Sequence, residues 1–176
     1  MTDVSPAMFS RPLVQELLRY TEWADAAVWR AVLATPAARE DDTIRNYLVH
    51  THMVQRAFLA VWKGEPPSFT SASEFVDLDA VRAWGKPYYA EAGGFLALLG
   101  ADTDRPMKMP WVDQYEQHMG RTFATSSIGE TIYQVVSHST YHRGQLNARL
   151  RALGGEPPLV DYIAWTWFGK PEAEWN

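Results

Sequence analysis

The stretch from Val136 to Gln145 reads VSHSTYHRGQ, with His138 and His142 four residues apart. On a helix, that spacing stacks two side chains one turn apart on one face. Two imidazoles so placed can grip one cation, as in the H-E-x-x-H helices of zinc proteases. The ordinary alternative is a pair of solvated or hydrogen-bonded histidines. Ser139 stands where a zinc protease carries its glutamate base, so protease chemistry is not expected. Two ligands make a weak site, and a third must come from another element.

The remaining histidines are His50, His52 and His118. The chain has no cysteine, which removes disulfides, thiolate ligands and cysteine nucleophiles together. A transition metal would therefore rest on histidines and carboxylates. His50 and His52 are two residues apart, about 200° around a helix, so one site is not expected to use both. Summing the apolar directions from Ile44 to Trp62 places His50 roughly 60° and His52 roughly 140° from the apolar centre. His50 is thus expected at the core edge and His52 in water. His118 falls in a long connection, where it either borders the site or is simply exposed.

The elements that must position these residues are helical over most of the chain. A first helix follows Ser10, a plausible cap, with Pro12 in its first turn and Pro36 after its end. Its apolar stripe reads Leu13, Leu17, Tyr20 or Thr21, Ala24 and Val28. A second helix, capped by Asp41 or Asp42, ends at Gly64 before Pro66 and Pro67. A third runs from Asp77 or Asp79 to Gly100, with a kink or break at Pro87 and a weak point at Gly93 and Gly94. The segment PMKMPWVDQYEQHMGRTFATS reads as a long connection with a short hairpin, of the kind that carries function more often than not. Ser127 and Glu130 form a capping box that opens the fourth helix, which ends near Gly154 and Gly155. LVDYIAWTWFG is a short last helix, and a polar tail follows. The expected fold is all-α: a four-helix bundle with one long crossover connection and a short C-terminal helix, a single domain over residues 1–176. Such bundles build metal sites between facing helices.

Composition agrees with a packed domain. Apolar residues make up 47% of the 176, and 13% are aromatic, including eight Trp. The net charge of −5 and the lack of a basic run argue against a nucleic-acid partner. The amino terminus, MTDVSPAMFSRP, lacks the pattern of a signal peptide, and no apolar run approaches the roughly 20 residues of a membrane span. A cytoplasmic protein with no membrane partner is expected.

The segments HSTYHRGQ and LNARLRALGGEPPLVDYI closely resemble the C-terminal signature of the DinB/YfiT-like superfamily of metal-dependent proteins. TIRNYLVHTHMVQRAFLAVWKGE resembles its second-helix segment, in which a ligand histidine lies about fourteen residues before the closing glycine; counting back from Gly64 reaches His50. The resemblance implies a four-helix bundle, often homodimeric, with a divalent transition metal, zinc or nickel, on His50, His138 and His142. Gln55 departs from the pattern, since relatives often carry a glutamate there, which leaves the local charge open.

Three neutral imidazoles with a fourth position open resemble catalytic rather than structural zinc. Superfamily activities include transfer and isomerisation that use low-molecular-weight thiols, so the resemblance implies a thiol S-transferase or hydrolase acting on a small-molecule substrate. A non-catalytic metal- or ligand-binding stress-response protein is the alternative, because no residue stands out as a general base. Gln134, Glu130, Tyr141 and Gln145 lie where they could orient an imidazole or a substrate, although capping already accounts for Glu130. Arg143 points about 100° away from His142, toward either an anionic substrate or a surface ion pair. Gly144 is expected to permit close helix packing.

Overall fold

The computed structural model describes residues 8–176. The first seven residues, part of the stretch read for a signal peptide, lie outside the described region. The protein is all-α apart from one two-residue strand pair. Its elements are α1 (Arg11–Ala34), α2 (Pro36–Arg39), α3 (Asp42–Lys63), a 3-10 turn (Ala72–Glu74), α4 (Leu78–Gly85), α5 (Pro87–Leu99), β1 (Pro106–Met107), α6 (Val112–Met119), β2 (Ser126–Ser127), α7 (Ile128–Ala152) and α8 (Tyr162–Trp167). Helix α7 packs along both α1 and α3, and α5 packs against the same two helices. Their shared core holds Val14, Trp29, Ile44, Tyr88, Leu96, Ile132 and Leu146. Among the described residues, no helix is long and apolar enough to cross a membrane.

Local chemistry sets the helix ends. The Asp41 carboxylate accepts the Ile44 N–H at 2.9 Å and so caps α3. It also takes two hydrogen bonds from the Arg149 guanidinium, at 3.2 and 2.5 Å, tying the start of α3 to the end of α7. Gly64 closes α3 in the left-handed region, at φ 77°, where a side chain would be strained. The Ser127–Glu130 box opens α7 as its sequence demands, each residue bonding the other's backbone N–H. Pro87 does not kink a continuous helix; it starts a new one, α5, directly after α4. Asp77 caps α4 by accepting the Ala80 N–H at 2.8 Å.

Four expectations need correction. On α1, Tyr20, Thr21, Ala24 and Val28 of the expected stripe are buried, but Leu13 is exposed and Leu17 half-buried; Val14, Leu18 and the polar Asp25 face the core instead. The long connection holds more than a hairpin: β1 and β2 pair antiparallel, Pro106 opposite Ser127, and they bracket α6. The MGR signal is the left-handed Gly120 that ends α6. The polar tail returns to the body of the protein, where Trp175 is buried and donates to the Glu22 carboxylate at 3.2 Å. Finally, Gly144 is exposed, and a Cβ there would meet nothing within 4 Å.

One glycine that does allow close packing is Gly85, at the end of α4. A Cβ there would lie 2.4 Å from Cγ of His52. We therefore expect Gly85→Ala to lower stability by roughly 1–3 kcal/mol despite alanine's better helix propensity, because the imbedded ring has no room to move. Chemical denaturation of the two proteins measures this directly.

Candidate metal centre

Helix α3 brings His50, and α7 brings His138 and His142, to one point. The His138 Nε2 atom lies 3.3 Å from Nε2 of His50 and 3.1 Å from Nε2 of His142. One nitrogen from each ring fits within 4.8 Å of the other two. Metal–nitrogen bonds of about 2.0–2.1 Å in a tetrahedral site hold their nitrogens about 3.3 Å apart. The spacing of the three Nε2 atoms therefore suits a shared cation.

Proton positions point the same way. The Oε1 atom of Gln145 can only accept, so at 2.6 Å the Nδ1 of His142 carries the proton. This leaves the His142 Nε2 lone pair facing the other two rings. Among the described residues, Nδ1 of His138 is buried without a hydrogen-bond partner. Burial, with the neighbouring His142 and His50, pulls the His138 pKa down to about 4. Burial also lowers His50, with help from His142, and lowers His142 against the opposing pull of Gln145. All three rings are thus neutral and able to offer lone pairs at neutral pH.

Under the site lies a buried polar network joining α1, α3, α5 and α7. Arg143 donates to Asp25 at 2.6 Å, and both side chains are almost fully buried. Arg143 also donates to Thr140 at 2.7 Å. The other Asp25 oxygen accepts from the Tyr89 hydroxyl at 2.5 Å and from the Gln55 amide at 2.9 Å. The same amide reaches Ser139 Oγ at 3.1 Å. Trp29 donates its indole N–H to Nε2 of His52 at 3.0 Å, which places the His52 proton on Nδ1, 2.8 Å from Gln55 Oε1. Donors and acceptors then match along the line from Trp29 through His52 and Gln55 to Asp25. The one negative charge, on Asp25, is balanced by Arg143. A glutamate at position 55 would add a second buried anion beside Asp25; the glutamine keeps the network neutral, which resolves the local charge left open by sequence.

This network overturns two sequence expectations. His52 is not in water: it is 1% exposed. The apolar wheel sent it to solvent because its neighbours Thr51 and Gln55 are polar, yet α1, α4 and α5 cover that side of α3. Arg143 forms an ion pair, but a buried one rather than a surface one. His118 is exposed on α6 and takes no part in the cluster. Of the proposed orienting residues, Gln145 touches His142 and itself donates to Tyr141 Oη at 3.3 Å, while Glu130 is occupied by the cap. Asp25, Trp29 and Tyr89 were missed altogether. The one available signal was a lone aspartate inside the apolar run WADAAVW.

His50 and His138 also form part of the wall of an open cleft of about 780 Å³. Phe69, after α3, and residues of α6 flank it, and Trp111 and Phe123 of the connection supply its far side.

Helices that converge three imidazole nitrogens beside an open cleft define an all-α protein with a histidine-only site of metal-binding geometry. The DinB family model matches residues 8–173, and the chain belongs to the DinB family. No curated protein matches the chain at a significant level.

The histidine shifts carry a pH consequence. His50, His52, His138 and His142 all have pKa values lowered in the folded protein, chiefly by burial. The unfolded chain therefore binds more protons than the folded one as pH falls below 6.5, and the folded state loses stability across that window down to about 4. Glu22, raised by burial, works in the opposite sense through one group only. We expect the melting temperature of the metal-free protein to be flat above pH 7 and to fall steadily from pH 6.5 toward 4. A flat profile across that range would contradict the assignment of neutral buried rings.

Proposed function

We propose that this DinB-family protein binds a divalent transition metal, zinc or nickel, through Nε2 of His50, His138 and His142, and acts on a small molecule as a metal-dependent thiol S-transferase or hydrolase. The observation that carries the reading is the set of three neutral imidazoles beside a cleft large enough for a drug-sized ligand. Bound there, such a metal supplies Lewis acidity: it lowers the pKa of a water or thiol, or polarises a carbonyl. The protein's own residues do the rest. Gln145 holds the His142 ring in one tautomer. The Gln55 and Ser139 contacts hold α3 and α7 in register, so that the rings face one another. With no cysteine in the chain, a thiol nucleophile would come from a low-molecular-weight thiol, and a cytoplasmic location, where such thiols stay reduced, suits this reading.

One observation favours a second reading, that of a non-catalytic metal- or ligand-binding stress-response protein. Among the described residues, the cleft is lined by no carboxylate, and its two histidines belong to the cluster, so none of these residues offers a separate general base. Ligand-dependent gain in melting temperature without turnover would favour it; turnover abolished by a chelator would exclude it.

The deciding experiment is elemental analysis of protein purified without added metal. We expect about one zinc or nickel per chain, and losses of tenfold or more in metal affinity for His50→Ala and His138→Ala. A wild-type protein that carries no stoichiometric metal and takes none up would remove the basis of both readings. We also propose a homodimer, supported by large apolar side chains left exposed on and beside α8, among them Ile163, Trp167 and Phe168. Light scattering across a concentration series is expected to give twice the chain mass; a constant monomer mass would refute it.

A further inference from the structure

The cleft beside the three histidines has a composition of its own. Phe58, Phe69, Trp111 and Phe123 line it, with Trp111 meeting Phe58 edge-on at 5.3 Å and Phe69 at 6.3 Å between ring centres. The polar side chains that line it, apart from the two histidines and Tyr115, are the neutral amides Gln114 and Gln134. Among the described residues, no lysine, arginine, aspartate or glutamate lines it. Arg121 holds its guanidinium 5.5 Å from the Phe123 ring, and it is not among the lining residues. In a chain that is 21% charged, a cleft of this size without a charged wall residue selects by polarity.

Aromatic walls reward flat apolar surfaces through burial and offset or edge contacts. A charged group pushed against them loses hydration and gains no partner. Neutral amides satisfy a carbonyl or hydroxyl without a counter-charge. We infer that the cleft takes an uncharged aromatic compound, its ring lying against the wall formed by Phe58, Phe69 and Trp111, with any polar substituent met by Gln114 or Gln134. This deepens the reading above by naming the substrate class, and it rests on that reading only for the claim that the ring lies beside the metal. Trp111 and Phe123 come from the connection between α5 and α7, so that connection determines specificity while α3 and α7 supply the histidines.

A matched pair of fluorescent probes tests this on the full chain. N-phenyl-1-naphthylamine is an uncharged arene, and 8-anilinonaphthalene-1-sulfonate is the same ring system carrying an anion. Metal-free protein is expected to bind the neutral probe about tenfold more tightly than the sulfonate. Trp111→Ala and Phe58→Ala should each weaken the neutral probe roughly fivefold or more, whereas Leu98→Ala, exposed on α5, should leave it unchanged. In metal-loaded protein, benzohydroxamate should displace the neutral probe, which places the ring over the histidines. Equal binding of the two probes overturns the inference, as does neutral-probe binding that ignores Trp111→Ala. A switch from dimer to monomer in Trp111→Ala would also overturn it, because the cleft would then be a protein contact. Metal uptake is measured separately on the same samples. Failure of uptake with probe selectivity intact removes the metal reading alone, and uptake without probe selectivity removes this inference alone.

Discussion

A buried aspartate and a buried arginine organise this protein. Asp25 on α1 and Arg143 on α7 sit in the core, where an unpaired charge would cost several kcal/mol. Once they pair, the remaining Asp25 oxygen must also be satisfied, and Tyr89 on α5 and Gln55 on α3 supply the donors. Few rotations of four helices meet all these demands at once. Apolar packing alone would tolerate several neighbouring rotations, because one hydrophobic side chain can replace another at modest cost. A directional network tolerates far fewer. Its main effect is on geometry rather than on net stability, since buried ion pairs gain little over well-packed apolar groups.

The histidine cluster inherits that geometry. On α7, Ser139 and Arg143 face the network while His138 and His142 face α3 from the adjoining side. On α3, His52 and Gln55 face the network and His50 faces α7. Every residue of the cluster is therefore within a turn of one that the network has already fixed. Gln145 then sets the tautomer of one ring. The cluster itself needs few contacts of its own, and its rings remain partly reachable from the cleft.

The two layers differ in chemistry as well as in place. The network is closed, hydrogen-bonded and neutral overall. The cluster brings ring nitrogens from two helices together, with Nε2 of His138 3.3 Å from that of His50 and 3.1 Å from that of His142, a spacing that suits a shared cation. An acidic residue at position 55 would add a second buried anion beside Asp25; Gln55 keeps the network neutral.

Much of this was legible from the order of residues, and the part that was not has one physical cause. Helix type and helix ends follow from neighbours within a turn or two, so the all-α class, the Ser127–Glu130 box and the Gly64 stop could be read locally, and two caps narrowed to Asp41 or Asp42 and Asp77 or Asp79. The stacking of His138 on His142 is equally local, and His50 could be placed at the core edge because the apolar residues of α3 mark that edge. His52, Arg143 and Asp25 were misplaced or missed because apolar periodicity treats every polar residue as a surface residue. Whether such a residue is buried depends on a partner more than twenty positions away: 23 for His52 and Trp29, 118 for Arg143 and Asp25. The aromatic wall from the connection was hidden for a similar reason, since Trp111, just before α6, reaches it by packing against Phe58 and Phe69. Local patterns decided which helices form; the pairing of buried polar groups across those helices decided how they rotate, and so which histidines meet.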